Sequence, residues 1–208
     1  MTPALMHTDL QTIVLHLRAV LSQDEQAALA RVPTGMRVAA VLAPLYLKDG
    51  QPHLLLTRRA ATLSAHRGEI AFLGGAREPE DAELSHTALR EAKEEIGLDP
   101  ARVTLLGMLE PVVTVVSNFT ILPFVGYLPD GPGPLSANPQ EVDTILEAPL
   151  AALADPLIFH SEEWQRADAA HTVYFFDYGP NRIWGATGRM LVDLLGRLRA
   201  GEEAENHL

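Results

Sequence analysis

Arg90-Glu91-Ala92-Lys93-Glu94-Glu95-Ile96-Gly97 packs three carboxylates and two cations into six residues. At about 100° per residue, Ala88, Leu89, Ala92 and Ile96 share one apolar arc of a helix. Glu91, Glu94 and Glu95 fall on the neighbouring arc, Glu91 standing three and four positions before the other two. The spacing predicts a helix over Asp81–Gly97, with Asp81 as N-cap and Gly97 as the glycine that follows a helix end. Like charges at this spacing cost about 0.2–0.5 kcal/mol per pair, so three beside a buried stripe call for a cation. Hard divalent ions such as Mg²⁺ take oxygen ligands of this kind, and Arg90 reaches Glu94 one turn on. By itself the pattern also fits a solvated, Glu-rich helix face.

Outward from this helix the chain reads as strands with a few helices. Leu10, Ile13, Val14, Leu17 and Leu21 carry the helical period. Ser22 with Glu25 reads as a capping box for a second short helix ending near Arg31. Arg37–Leu47 and His53–Arg58 are apolar runs joined through Asp49-Gly50, a hairpin signal. Glu69–Phe72 leads into a tight turn at Gly74-Gly75, and Val103–Leu109, Thr120–Leu128 and Val173–Tyr178 read as strands. Glu141–Leu146 is extended, Leu150–Ala154 and Ser161–Asp168 read as helical turns, and Thr187–Ala200 as a last amphipathic helix. Phe176 and Trp184 are assigned to the core. The interleaving predicts an α/β/α layering with a mixed sheet and helices on both faces.

Composition bounds the function. With 208 residues and 47% hydrophobic content the chain can bury a sizeable core. A net charge of −11 lacks the basic footprint of a duplex nucleic-acid binder. No run approaches the roughly 20 apolar residues of a membrane helix, and no secretory leader is evident. Zero cysteines exclude disulfides and thiolate metal sites. The expectation is a cytoplasmic protein with a small-molecule substrate, with no nucleic-acid or membrane partner; a homodimer is left open.

Gly75 followed by Arg90-Glu91-Ala92-Lys93-Glu94-Glu95-Ile96-Gly97-Leu98 resembles the Nudix box: glycine, an acidic residue, then Arg-Glu-apolar-any-Glu-Glu-any-Gly-apolar. The second half matches at every defined position. In the first half the spacer is one residue longer, and the acidic position falls on Ala82, between Asp81 and Glu83. Leu55-Leu56-Thr57-Arg58-Arg59-Ala60 with His66-Arg67-Gly68-Glu69-Ile70-Ala71-Phe72-Leu73-Gly74-Gly75 is similar to the motif preceding the box in coenzyme A pyrophosphatases, which share the longer spacer. Ser64, Glu69 and Leu73 depart from it, standing where that subfamily has Arg, Gln and Pro; Arg58, Arg67 and Arg77 are candidate replacements for the lost guanidinium.

The resemblance implies a Nudix-type α/β/α sandwich at 35–200, preceded by a helical extension (1–34) and followed by a disordered tail (201–208). It implies metal-dependent hydrolysis of the diphosphate of coenzyme A, or its acyl or oxidised derivatives, to 3′,5′-ADP and 4′-phosphopantetheine. Glu91, Glu94, Glu95 and the carbonyl of Gly74 would bind Mg²⁺ or Mn²⁺, and Arg90 would orient the carboxylates. Glu141 is the candidate general base, a box glutamate the alternative. Thr57, Arg59 and His66 would contact substrate. ADP-ribose, NADH or nucleoside triphosphates are the alternative substrates. A non-catalytic nucleotide-sensing domain is the reading from a different class.

Overall fold

The computed structural model describes residues 9–63, 65–114, 117–166 and 169–205. Two helices, α1 (Leu10–Val20) and α2 (Glu25–Ala30), open it. Strands β1 (Arg37–Lys48) and β2 (Gln51–Arg59) form a hairpin in which Lys48 pairs with Gln51. Asp49 and Gly50, between them, both have positive φ, as a two-residue turn of this hand requires.

The sheet divides beside β1. Its second half, Leu45–Lys48, pairs with β2, whereas its first half pairs with β4 (Leu73–Ala76). From Thr57, β2 pairs with β3 (Ile70–Ala71) instead. The segment 70–76 thus fills the fork between β1 and β2. On its other edge β1 runs parallel to β7 (Phe119–Leu128) over ten residue pairs, from Arg37–Phe119 to Tyr46–Leu128. β5 (Thr104–Met108) closes that side, β6 (Val112–Thr114) pairs with β7, and β8 (Val142–Pro149) with the outer edge of β2.

Along β1 alternate side chains enter different cores, as the two-residue strand period demands. Ala40, Leu42 and Tyr46 pack with α3 (Leu84–Ile96). Val41, Ala43 and Leu45 pack with α1 and α5 (Gly185–Glu205). Helices therefore cover both faces of a mixed sheet, the α/β/α layering expected. A second sheet, β9 (Phe159–Arg166), β10 (Ala169–Tyr178) and β11 (Asn181–Trp184), joins the α5 side through Phe176 and Ile183. The turn α4 (Leu150–Leu153) lies where expected. No described helix is long and apolar enough to cross a membrane.

Several local expectations change. Residues Ser161–Arg166 are strand, not helical turns, because His160 and Trp164 find aromatic partners across the sheet: His160 stacks 4.9 Å from Phe175 at 6°, and Trp164 meets Phe175 tilted at 48°. Phe176 is buried as expected, but Trp184 is only partly so, standing on the outer aromatic face with Phe175. The segment after Phe72 is a short strand rather than a free turn. The Ser22–Glu25 capping box does not form; Asp24 caps α2, accepting the amide of Ala27 at 2.8 Å. The last helix continues to Glu205, where a disordered tail is expected from Gly201. Past the apolar stripe, Glu202, Glu203 and Ala204 are good helix formers, and each added residue gains a backbone bond. Residues 206–208 lie outside the described residues.

Candidate active site

α3 begins later than Asp81. Its N-cap is Glu83, without a side-chain cap bond, and it ends at Gly97 in the left-handed conformation, φ +71°. Leu84, Ala88, Ala92 and Ile96 are fully buried against β1 and seat the helix, so the predicted acidic arc faces the fork that holds β4. Glu95 is 4% exposed and accepts the amide of Gly74 at 3.2 Å. Glu91 lies against Gly75 so closely that a Cβ there would come within 2.5 Å of its carboxyl carbon. Gly74 has φ +153° and equally little room, its missing Cβ falling 2.3 Å from the Ala40 carbonyl oxygen. The two glycines are therefore what allow strand backbone to approach the carboxylates. Gly75→Ala is expected to keep the fold and displace Glu91. A misplacement near 1 Å can cost about 100-fold in turnover; wild-type turnover with an unchanged circular dichroism spectrum would contradict this contact.

Arg90 is the hub of the cluster. Its Nη1 lies 3.0 Å from both Glu91 and Glu94. Its Nε and Nη2 donate to the two oxygens of Asp81, each at 3.1 Å. Asp81 also accepts from the Thr87 hydroxyl and the Glu78 amide, each at 2.9 Å. Arg90, then burial opposed by these bonds, leaves the Asp81 carboxyl at about 2. The expected capping role of Asp81 is thus corrected: it is buried under Arg90 and fixes the guanidinium. Its role at the site is not expected from the sequence, where Asp81 reads as a helix cap, and the one-residue-longer spacer is the signal for it.

Burial pushes Glu95 up to about 8, the positive charge of Arg59 pulling the other way. Burial also raises Glu91, with Arg90 opposing it. Glu141, immediately before β8, adds a smaller upward push to both. Three backbone hydrogen bonds seat this segment. The amides of Ser136 and Asn138 donate to the Ile96 and Glu95 carbonyls at the end of α3, at 2.9 and 2.8 Å. The Ala60 amide then donates to the Glu141 carbonyl at 2.8 Å. Arg59 stands at a register irregularity of β2 against β8, and its Nε is buried with no hydrogen-bond partner among the described residues.

The other expected contacts do not join this group. Thr57 is 1% exposed and pairs with Ala71 of β3. His66 pairs with Glu69 at 3.0 Å in the exposed β2–β3 loop. Arg58 is held by Asn181 and Asp143, and Arg77 by the Asp81 and Ala82 carbonyls. Ser64 lies outside the described residues.

Among the described residues no three carboxylates form a closed metal-ligand set, and Arg90 Nη1 lies within 3.0 Å of both Glu91 and Glu94. The donor chemistry nevertheless fits a hard divalent ion. All three are carboxylate oxygens, and Glu95 is buried with a single amide donor. Glu94, whose side chain is 52% exposed, can leave Arg90 by a rotamer change.

Residues 36–167 match the NUDIX domain family model. The chain is 40% identical over 164 residues to "Uncharacterized Nudix hydrolase NudL" of Photorhabdus laumondii, covering 79% of this chain and 86% of that one. It is 39% identical over 176 residues to "Nudix hydrolase 22, chloroplastic" of Arabidopsis thaliana, covering 80% of this chain and 57% of that one. Among solved structures, the M. smegmatis Nudix hydrolase RenU superposes with a TM-score of 0.48 at 22% identity, over 57% of this chain and 74% of that one.

Proposed function

This chain belongs to the Nudix hydrolase family, and from that premise we propose that it cleaves the diphosphate of coenzyme A or its acyl or oxidised derivatives, releasing 3′,5′-ADP and 4′-phosphopantetheine in the cytoplasm. Glu91, Glu94 and Glu95, with the Gly74 carbonyl, would hold Mg²⁺ or Mn²⁺, which supplies positive charge to phosphate oxygens and acidifies water. Glu141 accepts the proton of the attacking water. Arg90, tethered by Asp81, keeps Glu91 and Glu94 in place. The intact carboxylates favour an enzyme over a nucleotide sensor.

The observation that carries the substrate reading is Arg59. Arg90 is saturated with carboxylates, whereas the Arg59 Nε is buried with no partner among the described residues, and the Arg59 charge acts on Glu95. A forked donor in that state suits a phosphate oxygen. One charge-assisted bond to the 3′-phosphate contributes about 1.5–3 kcal/mol, roughly one to two decades in kcat/KM.

The test is a panel of coenzyme A, dephospho-coenzyme A, ADP-ribose and NADH with Mg²⁺, repeated after chelation. Coenzyme A is expected to be hydrolysed best, dephospho-coenzyme A roughly 10–100-fold more slowly, and the gap to shrink in Arg59→Ala. Equal rates for the first two would remove phosphate recognition. A faster rate with ADP-ribose would overturn the substrate while leaving the family in place, and full activity after chelation would overturn the metal.

A further inference from the structure

The helices α1 and α2 precede the residues that match the family model, yet α2 is joined to the catalytic helix. The first turn of α3 is short of a cap: Glu83 makes no side-chain cap bond, and Leu84, the first helical residue, is fully buried. A buried amide without an acceptor is strongly disfavoured. Its acceptor comes from 59 positions earlier: the Leu84 amide donates to Glu25 Oε1. Glu25 is the first residue of α2 and lines, with Gln23, Asp24, Gln26 and Glu83, a cleft of ≈ 520 Å³.

The path that delivers Glu25 is built into the sheet. α1 buries Leu10, Ile13, Val14 and Leu17 in the core on the α5 side, and α2 buries Ala28 in the core on the α3 side. Between them the chain crosses the edge strand β5. Ser22 and Met108 exchange backbone bonds of 3.2 and 2.9 Å, and Gln23 Nε2 donates to the Leu106 carbonyl at 2.7 Å. Gly107, φ +136°, makes room: a Cβ there would stand 2.5 Å from Gln23 Nε2 and 2.9 Å from the Ser22 carbonyl oxygen. The crossing covers an otherwise open strand edge.

We propose that Glu25 is a positioning residue for the catalytic helix: the extension caps the N-terminus of α3 while Ser136 and Asn138 hold its C-terminus, and the two ends together set where Glu91, Glu94 and Glu95 stand against Gly74 and Gly75. The helix between these anchors is a short rigid rod, so a shift at Leu84 is carried to the carboxylates two to three turns on. The metal-site part of this inference rests on the function proposed above.

The experiment compares the full chain with Glu25→Ala and Glu25→Gln, the latter retaining an acceptor oxygen. Amide hydrogen exchange at Leu84, Mn²⁺ affinity by electron paramagnetic resonance, and kcat and KM are measured. In Glu25→Ala the Leu84 amide is expected to exchange about tenfold faster, the factor of a lost cap. Mn²⁺ affinity and kcat should fall by several-fold or more with KM nearly unchanged, and Glu25→Gln should restore most of each. Unchanged exchange at Leu84 would overturn the cap. Faster exchange with wild-type Mn²⁺ affinity and kcat would reduce Glu25 to a structural contact and overturn the positioning role. Glu25→Asp, one methylene shorter with its charge kept, yields the same readouts if the alanine chain does not accumulate. Exchange and Mn²⁺ binding need no substrate, so a chain that passes both and hydrolyses none of the panel fails the substrate reading alone.

Discussion

Glu95→Gln is expected to lower kcat/KM by roughly 1,000-fold with saturating Mg²⁺, about 4 kcal/mol of transition-state stabilisation, while the far-ultraviolet circular dichroism spectrum stays that of wild type. Glu95 sits 4% exposed at the centre of the carboxylate arc, where a neutral amide gives up the negative charge an ion requires. Its stability signature has the opposite sign. Burial raises its carboxyl from 4.5 in the unfolded chain to about 8 in the folded one, so between these values the folded protein binds more protons. Metal-free stability therefore falls as pH rises across that window, and Glu95→Gln removes the fall. At pH 8 the metal-free variant should melt above metal-free wild type, and below pH 4.5 the difference should shrink. Wild-type turnover in Glu95→Gln would contradict the site. A metal-free variant melting well below wild type at pH 8 would contradict the buried charge.

Asp81→Ala should have the largest effect on folding. It leaves the Arg90 guanidinium without the pair of bonds that orient it, and the fully buried Thr87 hydroxyl and the Glu78 amide without their acceptor. Breaking a buried pair by removing one partner costs about 3–5 kcal/mol, roughly 6–20 °C in Tm for a domain of this size. Turnover should fall too, because an untethered Arg90 no longer fixes Glu91 and Glu94. The pH dependence has the opposite sense to that of Glu95. Arg90 holds the Asp81 carboxyl at about 2, below its ordinary 3.8. The stability it contributes is fully present above pH 3.8 and is lost as pH falls through 2. Asp81→Ala should flatten that acid limb of the stability curve. A Tm within 2 °C of wild type would show that other groups orient Arg90.

Both predictions turn on where local and distant information meet. The sequence by itself determined α3 and its faces, because the helical period, Gly97 and the Glu91–Glu94–Glu95 spacing act within one element. It likewise determined the β1–β2 hairpin, whose Asp49-Gly50 turn is local chemistry, and the two-sided burial of β1, legible as an unbroken apolar run. Tertiary structure decided what those elements meet. Asp81 looks like an N-cap until Arg90, nine residues on, supplies a stronger partner for its carboxylate. Residues 161–166 have the composition of a helical turn, and become a strand because Phe175 and Trp184 offer aromatic faces only across a sheet. The charges of Arg59 and Glu141 act on Glu95 because Arg59 pairs with Val142 where β2 meets β8, and the segment before β8 is bonded to the end of α3, a register that no spacing along the chain encodes. The cap on Leu84 comes from Glu25 because Gly107 lets a segment 85 residues away in sequence cross the sheet edge, and buried amides take whichever acceptor the packing brings to them.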